Sequence, residues 1–427
     1  MRETGQVRWR TAILRAAATA LVAAAAALPA SALWAQAGGS GRARQDASVK
    51  ARPELKTYPT PYYVIHTDLE GEAAREIAVR ITCMAREYQN RSGGFARKVR
   101  VRLPFYIFSK ADDYHAAGGP QGSAGVYMGS KLMVVADQRL SEGAWRRIQH
   151  EGFHQYVDKV LTQRIPVWVN EGMAEYFGHG VWTGDSYVLG VIPPDRLGRV
   201  KSLIKNGQIV PFLEMLEMTY QQWTSKLEGR NYDQAWAMVQ FLVHADGGRY
   251  LGPFDGFILD VAERNLNWKE SFVRRFGRDV GAFERRFSEW WSSLPKDPTA
   301  DLYTGAVVQT LASFFARAYG QGQRFEGMEE FFKAARDGSL KEDAKQWLPQ
   351  KLLLERLKGV EKLGEWTLIR PKQSPSIQLA APDGTTFTAS FRVRAGASVA
   401  VKLDVKGSKK PPAKGSSGPT TQPGKSR

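Results

Sequence analysis

The sequence predicts an α+β protein in which a small mixed sheet with long helices is followed by a helical segment and a small β unit. Two observations predict the sheet, because aromatic and β-branched residues cluster at 62–68 and side chains alternate along 99–108. A third observation predicts the helices, since apolar residues recur at helical spacing, first along 70–90. Alternation returns after residue 366, which separates the second β unit from the first sheet.

Breaker residues set the limits of the first elements. The strand at 62–68 runs into the helix at 70–90, and Pro104 is expected to break the 99–108 strand or to confine it to a sheet edge. A glycine-rich loop then leads into a hairpin whose turn lies near 129–130. This hairpin completes the predicted sheet.

Several helices follow the hairpin. Ser141 is expected to cap a helix that continues to about Gln163 and stops before Pro166, and a second helix is expected from about Val169 to Phe177. Further helical patterns lie at 211–218, 232–246, 254–264 and 280–294.

A boundary at Asp297-Pro298 divides the chain. The predicted segments are a signal peptide at 1–37, a flexible linker at 38–56, a main domain at 57–297, a helical segment at 298–365, a small β unit at 366–405 and a disordered basic tail at 406–427. Helical patterns within the helical segment lie at 303–318, 325–336 and 340–363. A Pro-Asp-Gly turn divides the β unit.

The net charge of +17 is concentrated at the two ends of the chain. Residues 1–56 carry a surplus of six positive charges and the tail after Val405 carries another six, so about five are spread over the long middle. No basic domain results, and this argues against nucleic-acid binding. The basic tail could instead contact anionic envelope polymers.

The first residues are typical of an export signal. Four arginines precede an apolar run at 16–28 that is too short to span a bilayer comfortably, and an Ala-x-Ala site ends at Ala37. A second Ala-x-Ala string lies at 30–32, and an uncleaved membrane anchor is the alternative. The mature protein is expected in the periplasm or outside the cell, where Cys83, the single cysteine, allows no disulfide within the chain.

The string H-E-G-F-H at 150–154 predicts a metal site. Residues four apart lie on one face of a helix, so His150 and His154 can present both imidazoles to one ion, a combination that suits Zn²⁺. Glu151 is turned by about 100° from His150, which places its carboxylate beside the ion, where it can hold a water. The alternative is a surface helix with two solvated histidines.

The third ligand is expected from the next helix. Glu171 and Glu175 lie one turn apart on the same face of that helix. Glu171 is predicted to complete a His₂Glu zinc site with one open position, and Glu175 to accept the free N–H of a zinc-bound histidine, although the two could exchange roles. Asn170 is expected beside the ligands without binding the ion. A purely structural or degenerate zinc site is the further alternative, but it has no use for Glu151.

The two motifs, 150–154 and W-V-N-E-G-M-A-E-Y at 168–176, resemble those of the gluzincin metallopeptidases, and most of all the peptidase-MA-like bacterial branch. The resemblance implies a zincin-like metallopeptidase domain at 57–297 that holds one Zn²⁺ ion. It implies that the zinc ligands are His150, His154 and Glu171. Glu151 would then be the general base, and Glu175 would support a histidine.

The same resemblance implies two further features. Tyr232, at the start of a predicted helix, would donate to the oxyanion, with His244 as a rival, although both could simply pack in or near the core. An extended substrate would pair with a strand edge formed by Gly125, Val126 and Tyr127, which could equally be an ordinary hairpin strand.

The predicted function is therefore that of an exported zinc-dependent peptidase. A metal-activated water would attack a peptide or protein substrate with Glu151 as the general base. An amide in a peptidoglycan stem is an alternative substrate for the same chemistry. The competing class is an exported binding protein of the cell envelope, in which residues 300–405 do the work and the zinc site is inactive or structural.

Overall fold

The computed structural model describes residues 54–129, 131–161, 164–225, 229–264, 266–342, 344–370, 375–392 and 400–407. The predicted signal peptide at 1–37 lies outside these ranges, as do most of the linker at 38–56 and most of the tail at 406–427. Within the described ranges, none of the helices combines the length and the apolar character that a membrane span requires.

A five-stranded mixed sheet forms the first part of the molecule. Its strands are β1 (Lys56–Pro59), β2 (Tyr63–Thr67), β3 (Leu103–Phe108), β4 (Gly125–Met128) and β5 (Lys131–Val135). In the order β1-β2-β3-β5-β4, the inner pairs are parallel and the outer pairs are antiparallel. The predicted mixed sheet and its hairpin are confirmed. β1 begins at the last residue of the predicted linker, because Lys56 pairs with Thr67.

The prediction that Pro104 breaks its strand or lies at an edge is wrong. β3 lies in the middle of the sheet, with Pro104 opposite Val64 of β2. The ladder with β5 starts only at Phe105, so the proline lies just outside the part of β3 that is paired on both sides. Its carbonyl accepts from Gln155 Nε2 at 2.9 Å.

Helices make up most of the remaining chain. They are α1 (Gly71–Arg91), α2 (Ala111–Ala116), α3 (Glu142–Val160), α4 (Val167–Gly178), α5 (Pro194–Lys205), α6 (Phe212–Glu217), α7 (Tyr220–Ser225), α8 (Gly229–His244), α9 (Leu251–Glu263), α10 (Trp268–Phe276), α11 (Val280–Ser293), α12 (Ala300–Gly320), α13 (Met328–Arg336) and α14 (Gln350–Leu357). Short 3₁₀ turns lie at Ala245–Gly247 and Val360–Leu363.

Most of the predicted helices are confirmed within a few residues, and two groups of differences stand out. The sequence patterns do not predict the helices α2, α5, α7 and α10. The helix predicted at 340–363 is wrong in its first part, because α14 begins only after Pro349. A proline disfavours helical backbone at the preceding residue, so a helix cannot easily run through Leu348.

A second sheet follows the helices and confirms the predicted β unit. Its four antiparallel strands are β8 (Glu365–Ile369), β9 (Ser376–Ala380), β10 (Thr386–Arg392) and β11 (Ala400–Lys406), and a separate pair is formed by β6 (Val181–Trp182) and β7 (Tyr187–Val188). The long helix α12 packs on both of these sheets. One continuous apolar core extends from Tyr63 in β2 to Phe391 in β10.

The packing of α4 against α8 requires a glycine. A Cβ atom on Gly172 would lie 2.5 Å from the backbone oxygen of Ala235 and 2.8 Å from Cγ2 of Val239. The first of these atoms belongs to a helix backbone, which cannot move away alone. The close approach therefore sets the position of α4, including the neighbouring Glu171.

Replacement of Gly172 by alanine is expected to destabilise the protein by about 1–3 kcal/mol, because the added methyl group pushes α4 and α8 apart. Gly198→Ala in α5 is the matched control, since a Cβ there meets nothing within 4 Å and alanine favours the helix. Urea unfolding followed by circular dichroism measures both variants. If Gly172→Ala unfolds at the same urea concentration as the wild type, the close contact between α4 and α8 does not require a glycine.

Candidate metal centre

Helix α3 carries the two predicted histidines in a buried stretch. Ser141 Oγ caps its first turn by accepting from the Ala144 N–H at 3.2 Å, as predicted, although the helix ends at Val160. The rings of His150 and His154 are nearly perpendicular, and their Nε2 atoms lie 3.0 Å apart. Both imidazoles therefore point one nitrogen at the same place.

Glu171 in α4 faces that place from the neighbouring helix. Its Oε2 lies 3.4 Å from Nε2 of His150 and 3.6 Å from Nε2 of His154. All three side chains are buried, and their donor atoms lie within 4.8 Å of one another. This group could hold a metal ion.

The carboxylate of Glu171 is buried without hydrogen bonds from the described residues. Its side chain is 1% exposed, and neither oxygen accepts a hydrogen bond from any described residue. Burial opposes its ionisation, but the imidazoles of His154 and His150 outweigh burial and lower the pKa of Glu171 to about 2. A buried carboxylate needs compensating positive charge, which is what a metal ion supplies.

An acceptor holds the second nitrogen of each histidine. Nδ1 of His150 lies 3.1 Å from Oε1 of Glu175, and Nδ1 of His154 lies 3.1 Å from Oδ1 of Asn170. A proton on each Nδ1 satisfies these acceptors and leaves the Nε2 lone pairs available to an ion. The geometry thus places Glu171, not Glu175, next to the two Nε2 atoms.

Glu151 lies on another face of α3, against strand β4. Its Oε2 accepts from the Tyr127 N–H at 3.1 Å, whereas its buried Oε1 has no hydrogen bond from the described residues. Gly125 leaves room for it, since a Cβ there would lie 3.3 Å from Glu151 Cγ. Burial raises the pKa of Glu151 against the opposing effect of the two imidazoles, and the charge of Glu171 adds to the rise.

Strand β4 is the outermost strand of the sheet beside Glu151, and its residues Gly125, Val126 and Tyr127 are buried. The Ala124 carbonyl accepts from β5 at 2.8 Å, so the alternation of an antiparallel ladder turns the backbone groups of Gly125 and Tyr127 away from β5. Val126 faces β5 with its backbone, and its side chain is buried. The predicted substrate strand is therefore an edge strand next to Glu151.

Two tyrosines lie within electrostatic reach of Glu171. The predicted Tyr232 packs its ring edge-on against Trp223, with ring centres 5.1 Å apart. Tyr220 in α7 has a buried hydroxyl that forms no hydrogen bond with the described residues. Burial, followed by the charge of Glu171, raises the pKa of both tyrosines, and Glu151 contributes to the rise at Tyr220.

The other four histidines of the chain lie outside the group of metal donors that the described residues form. His244, the predicted rival of Tyr232, has its Nε2 3.0 Å from the Tyr176 hydroxyl, and burial lowers its pKa to about 4. His179 Nδ1 lies 2.9 Å from the Glu175 carbonyl oxygen. Neither ring points a nitrogen at Glu171.

Three side chains that the sequence patterns do not single out join these helices. Gln149 Nε2 donates to the Phe177 carbonyl at 2.8 Å, which fastens α3 to the end of α4. The Tyr88 hydroxyl in α1 donates to the Gln149 carbonyl. Arg196 Nη1 in α5 donates to Oε2 of Glu175 at 2.6 Å. These partners are far apart in sequence, so no local pattern marks them.

Metal binding is expected to release a proton at pH 7. Burial by itself lowers the pKa of His150, but Glu171 and Glu175 outweigh burial and hold that pKa well above its usual range. The metal-free protein therefore keeps a second proton on His150, at Nε2, and an ion must displace this proton, so metal affinity should fall as the pH is lowered.

Calorimetric titration with Zn²⁺ in two buffers of different ionisation enthalpy measures this release. About one proton per bound ion is expected. Binding without proton release would contradict the assignment of a protonated His150 to the metal-free state.

The part of the chain that contains this site is similar to a known protein family. No curated protein matches the chain. Residues 145–252, which extend from α3 into α9 and include both helices of the metal group, match the model of a family described as a protein of unknown function (DUF1570). Over that range the chain is similar to this family.

Proposed function

We propose that this protein is an exported zinc-dependent peptidase with a zincin-like domain at 57–297. One observation carries the proposal: two imidazole nitrogens and a carboxylate oxygen converge in a buried group, and the nearby carboxylate of Glu151 has one oxygen that accepts no hydrogen bond from the described residues. The resemblance of the two motifs to the gluzincins supports the same function. The arginines and the apolar run at the start of the sequence support export.

The donor set and its spacing suit Zn²⁺. Two histidines and a glutamate form a known type of catalytic zinc site, in which the fourth position is left open. Ligands at about 2.0–2.1 Å from a tetrahedral zinc ion lie about 3.3 Å from one another. The corresponding separations here are 3.0, 3.4 and 3.6 Å. When bound, the ion would supply Lewis acidity toward a carbonyl and a water of lowered pKa.

Glu151 is positioned to act as the general base. The Tyr127 N–H holds its Oε2, so Oε1 is the oxygen that would take a proton from the attacking water and pass it to the leaving amine. Burial raises the pKa of Glu151 above its ordinary value, which makes this carboxylate a stronger proton acceptor.

The same residue argues against a purely structural ion. A structural zinc site is closed by four protein ligands, whereas the donor group among the described residues has three. A buried carboxylate with a free oxygen also costs stability, since it loses its hydration without full compensation. A general base needs such an oxygen, so catalysis explains why a destabilising carboxylate lies here.

The edge of β4 favours an extended peptide as substrate. The N–H and C=O of Gly125 and the C=O of Tyr127 point away from β5, while Glu151 occupies the Tyr127 N–H. A peptide paired with these groups would run past Glu151. Such pairing recognises a backbone rather than particular side chains, so a peptide stem of peptidoglycan would satisfy it as a protein segment does.

The oxyanion donor is proposed to be Tyr220, with Tyr232 as the alternative that the resemblance implies. An oxyanion donor has to reach the space between the general base and the metal ligands. After burial, the charges of Glu171 and Glu151 raise the pKa of Tyr220, so its hydroxyl lies near both carboxylates. That hydroxyl has no hydrogen-bond partner among the described residues. At Tyr232, burial and then the charges of Glu171 and Glu175 raise the pKa, so this hydroxyl lies nearer to Glu175 than to Glu151.

Replacement of Glu151 by glutamine is expected to leave zinc binding intact and to lower peptidase activity by about 10²- to 10⁴-fold, because the amide keeps the shape but cannot accept the proton. Cleavage of an unfolded protein substrate, with and without a chelator, measures the activity. Glu142→Gln, in the exposed first turn of the same helix, is the matched control and should retain wild-type activity. Undiminished turnover by zinc-loaded Glu151→Gln would refute the mechanism.

Tyr220→Phe is expected to lower kcat by about 10²- to 10³-fold with little change in KM, the usual effect of removing an oxyanion donor. Tyr232→Phe, which removes the same atom from the neighbouring ring, should have the smaller effect. Steady-state kinetics on one peptide substrate compares the two variants. A larger loss of kcat in Tyr232→Phe would assign the donor to Tyr232 instead.

A further inference from the structure

We propose that Arg196 is a positioning residue for the metal centre, which acts through Glu175 to hold the imidazole of His150 in place. This inference rests on the proposed zinc function. Arg196 is 3% exposed in α5, a helix that carries none of the three donors. Its role therefore depends on the contacts that it makes with α4, with the ring of His179 just after α4, and with α8.

The two oxygens of Glu175 divide their contacts between Arg196 and the histidine. Oε2 accepts from Nη1 of Arg196 at 2.6 Å, and Oε1 lies 3.1 Å from Nδ1 of His150. A carboxylate held at one oxygen by a charge-assisted hydrogen bond has little freedom to rotate about its last side-chain bond. The guanidinium thereby fixes the oxygen that orients the histidine ring.

Arg196 is itself held on its remaining sides by α8. Its Nε lies 2.9 Å from Oδ1 of Asp233, its Nη2 donates to the Tyr232 carbonyl at 3.1 Å, and its guanidinium lies over the Trp236 ring at 4.5 Å. A planar group with contacts on its edges and its face cannot follow a movement of Glu175. The guanidinium of Arg196 is therefore held rigidly, unlike the side chain of a solvent-exposed counter-ion.

Removal of this guanidinium would act on Glu175 first. The carboxylate of Glu175, which is 20% exposed, would keep its charge near Glu171 but lose its strongest partner, so it would turn away from His150 or draw in water. The His150 ring would then lose the acceptor that sets its orientation. The expected result is weaker metal binding without any change in the ligands.

The test measures Zn²⁺ affinity by competition with a chromophoric chelator. Arg196→Met, which keeps the length of the side chain and removes the charge, should bind zinc about 10- to 100-fold more weakly than the wild type. Arg196→Lys keeps the charge but not the planar fork, so a smaller loss is expected. Arg199→Met is the matched control, because Arg199 pairs with the same Asp233 at 2.6 Å from a half-exposed position. Its zinc affinity should be unchanged.

A double substitution separates positioning from general damage. If Arg196 acts through Glu175, Arg196→Met should weaken zinc binding no further in a Glu175→Ala background, whereas unrelated structural damage would add to the loss. Wild-type zinc affinity in folded Arg196→Met overturns the inference, and if that variant does not fold, wild-type affinity in Arg196→Lys does so. Failure of the wild-type protein to bind zinc would instead refute the proposed function.

Discussion

The carboxylate of Glu171 lies buried between two imidazoles that belong to a different helix, and this interaction constrains much of the molecule. A carboxylate without hydrogen bonds is stable in the interior only if positive charge approaches it closely. Against the effect of burial, Glu171 and Glu175 hold the pKa of His150 well above its usual range, so this imidazole carries positive charge beside Glu171 when no ion is present. An ion would take over the same task, so α3 and α4 must keep one relative position in both states.

Contacts of three kinds maintain that position. Close packing at Gly172 sets the distance between α4 and α8, and the hydrogen bonds of Gln149 attach α3 to the end of α4. The paired contacts of Glu175 connect the histidine to a buried arginine on α5. On the other face of α3, β4 fixes one oxygen of Glu151, and the other oxygen accepts no hydrogen bond within the described part of the chain. The sheet and the helices thus hold the donor group and the proposed base separately.

Local sequence patterns were sufficient to locate the donor group but not to assign every role within it. The spacing of residues on two successive helices predicts which side chains share a face, yet Glu171 and Glu175 share one, and only the placement of α4 separates them. The position of β3 in the sheet was also beyond local patterns. Pro104 suggested an edge, but the order of the strands depends on pairing between distant parts of the chain, which places β3 in the middle. Arg196 and Tyr220 belong to helices that the patterns missed, so their proximity to the site could not be inferred.

X-ray absorption spectroscopy of the zinc-loaded wild-type protein identifies the atoms that surround the ion, and so it decides whether His150, His154 and Glu171 bind zinc together. We expect one stoichiometric Zn²⁺ with two imidazole nitrogens and two oxygens at about 2.0–2.2 Å, and the loss of one carboxylate oxygen from this shell in Glu171→Ala. A zinc environment that contains sulfur, or one that is unchanged in Glu171→Ala, would contradict the convergence of these three side chains on one ion.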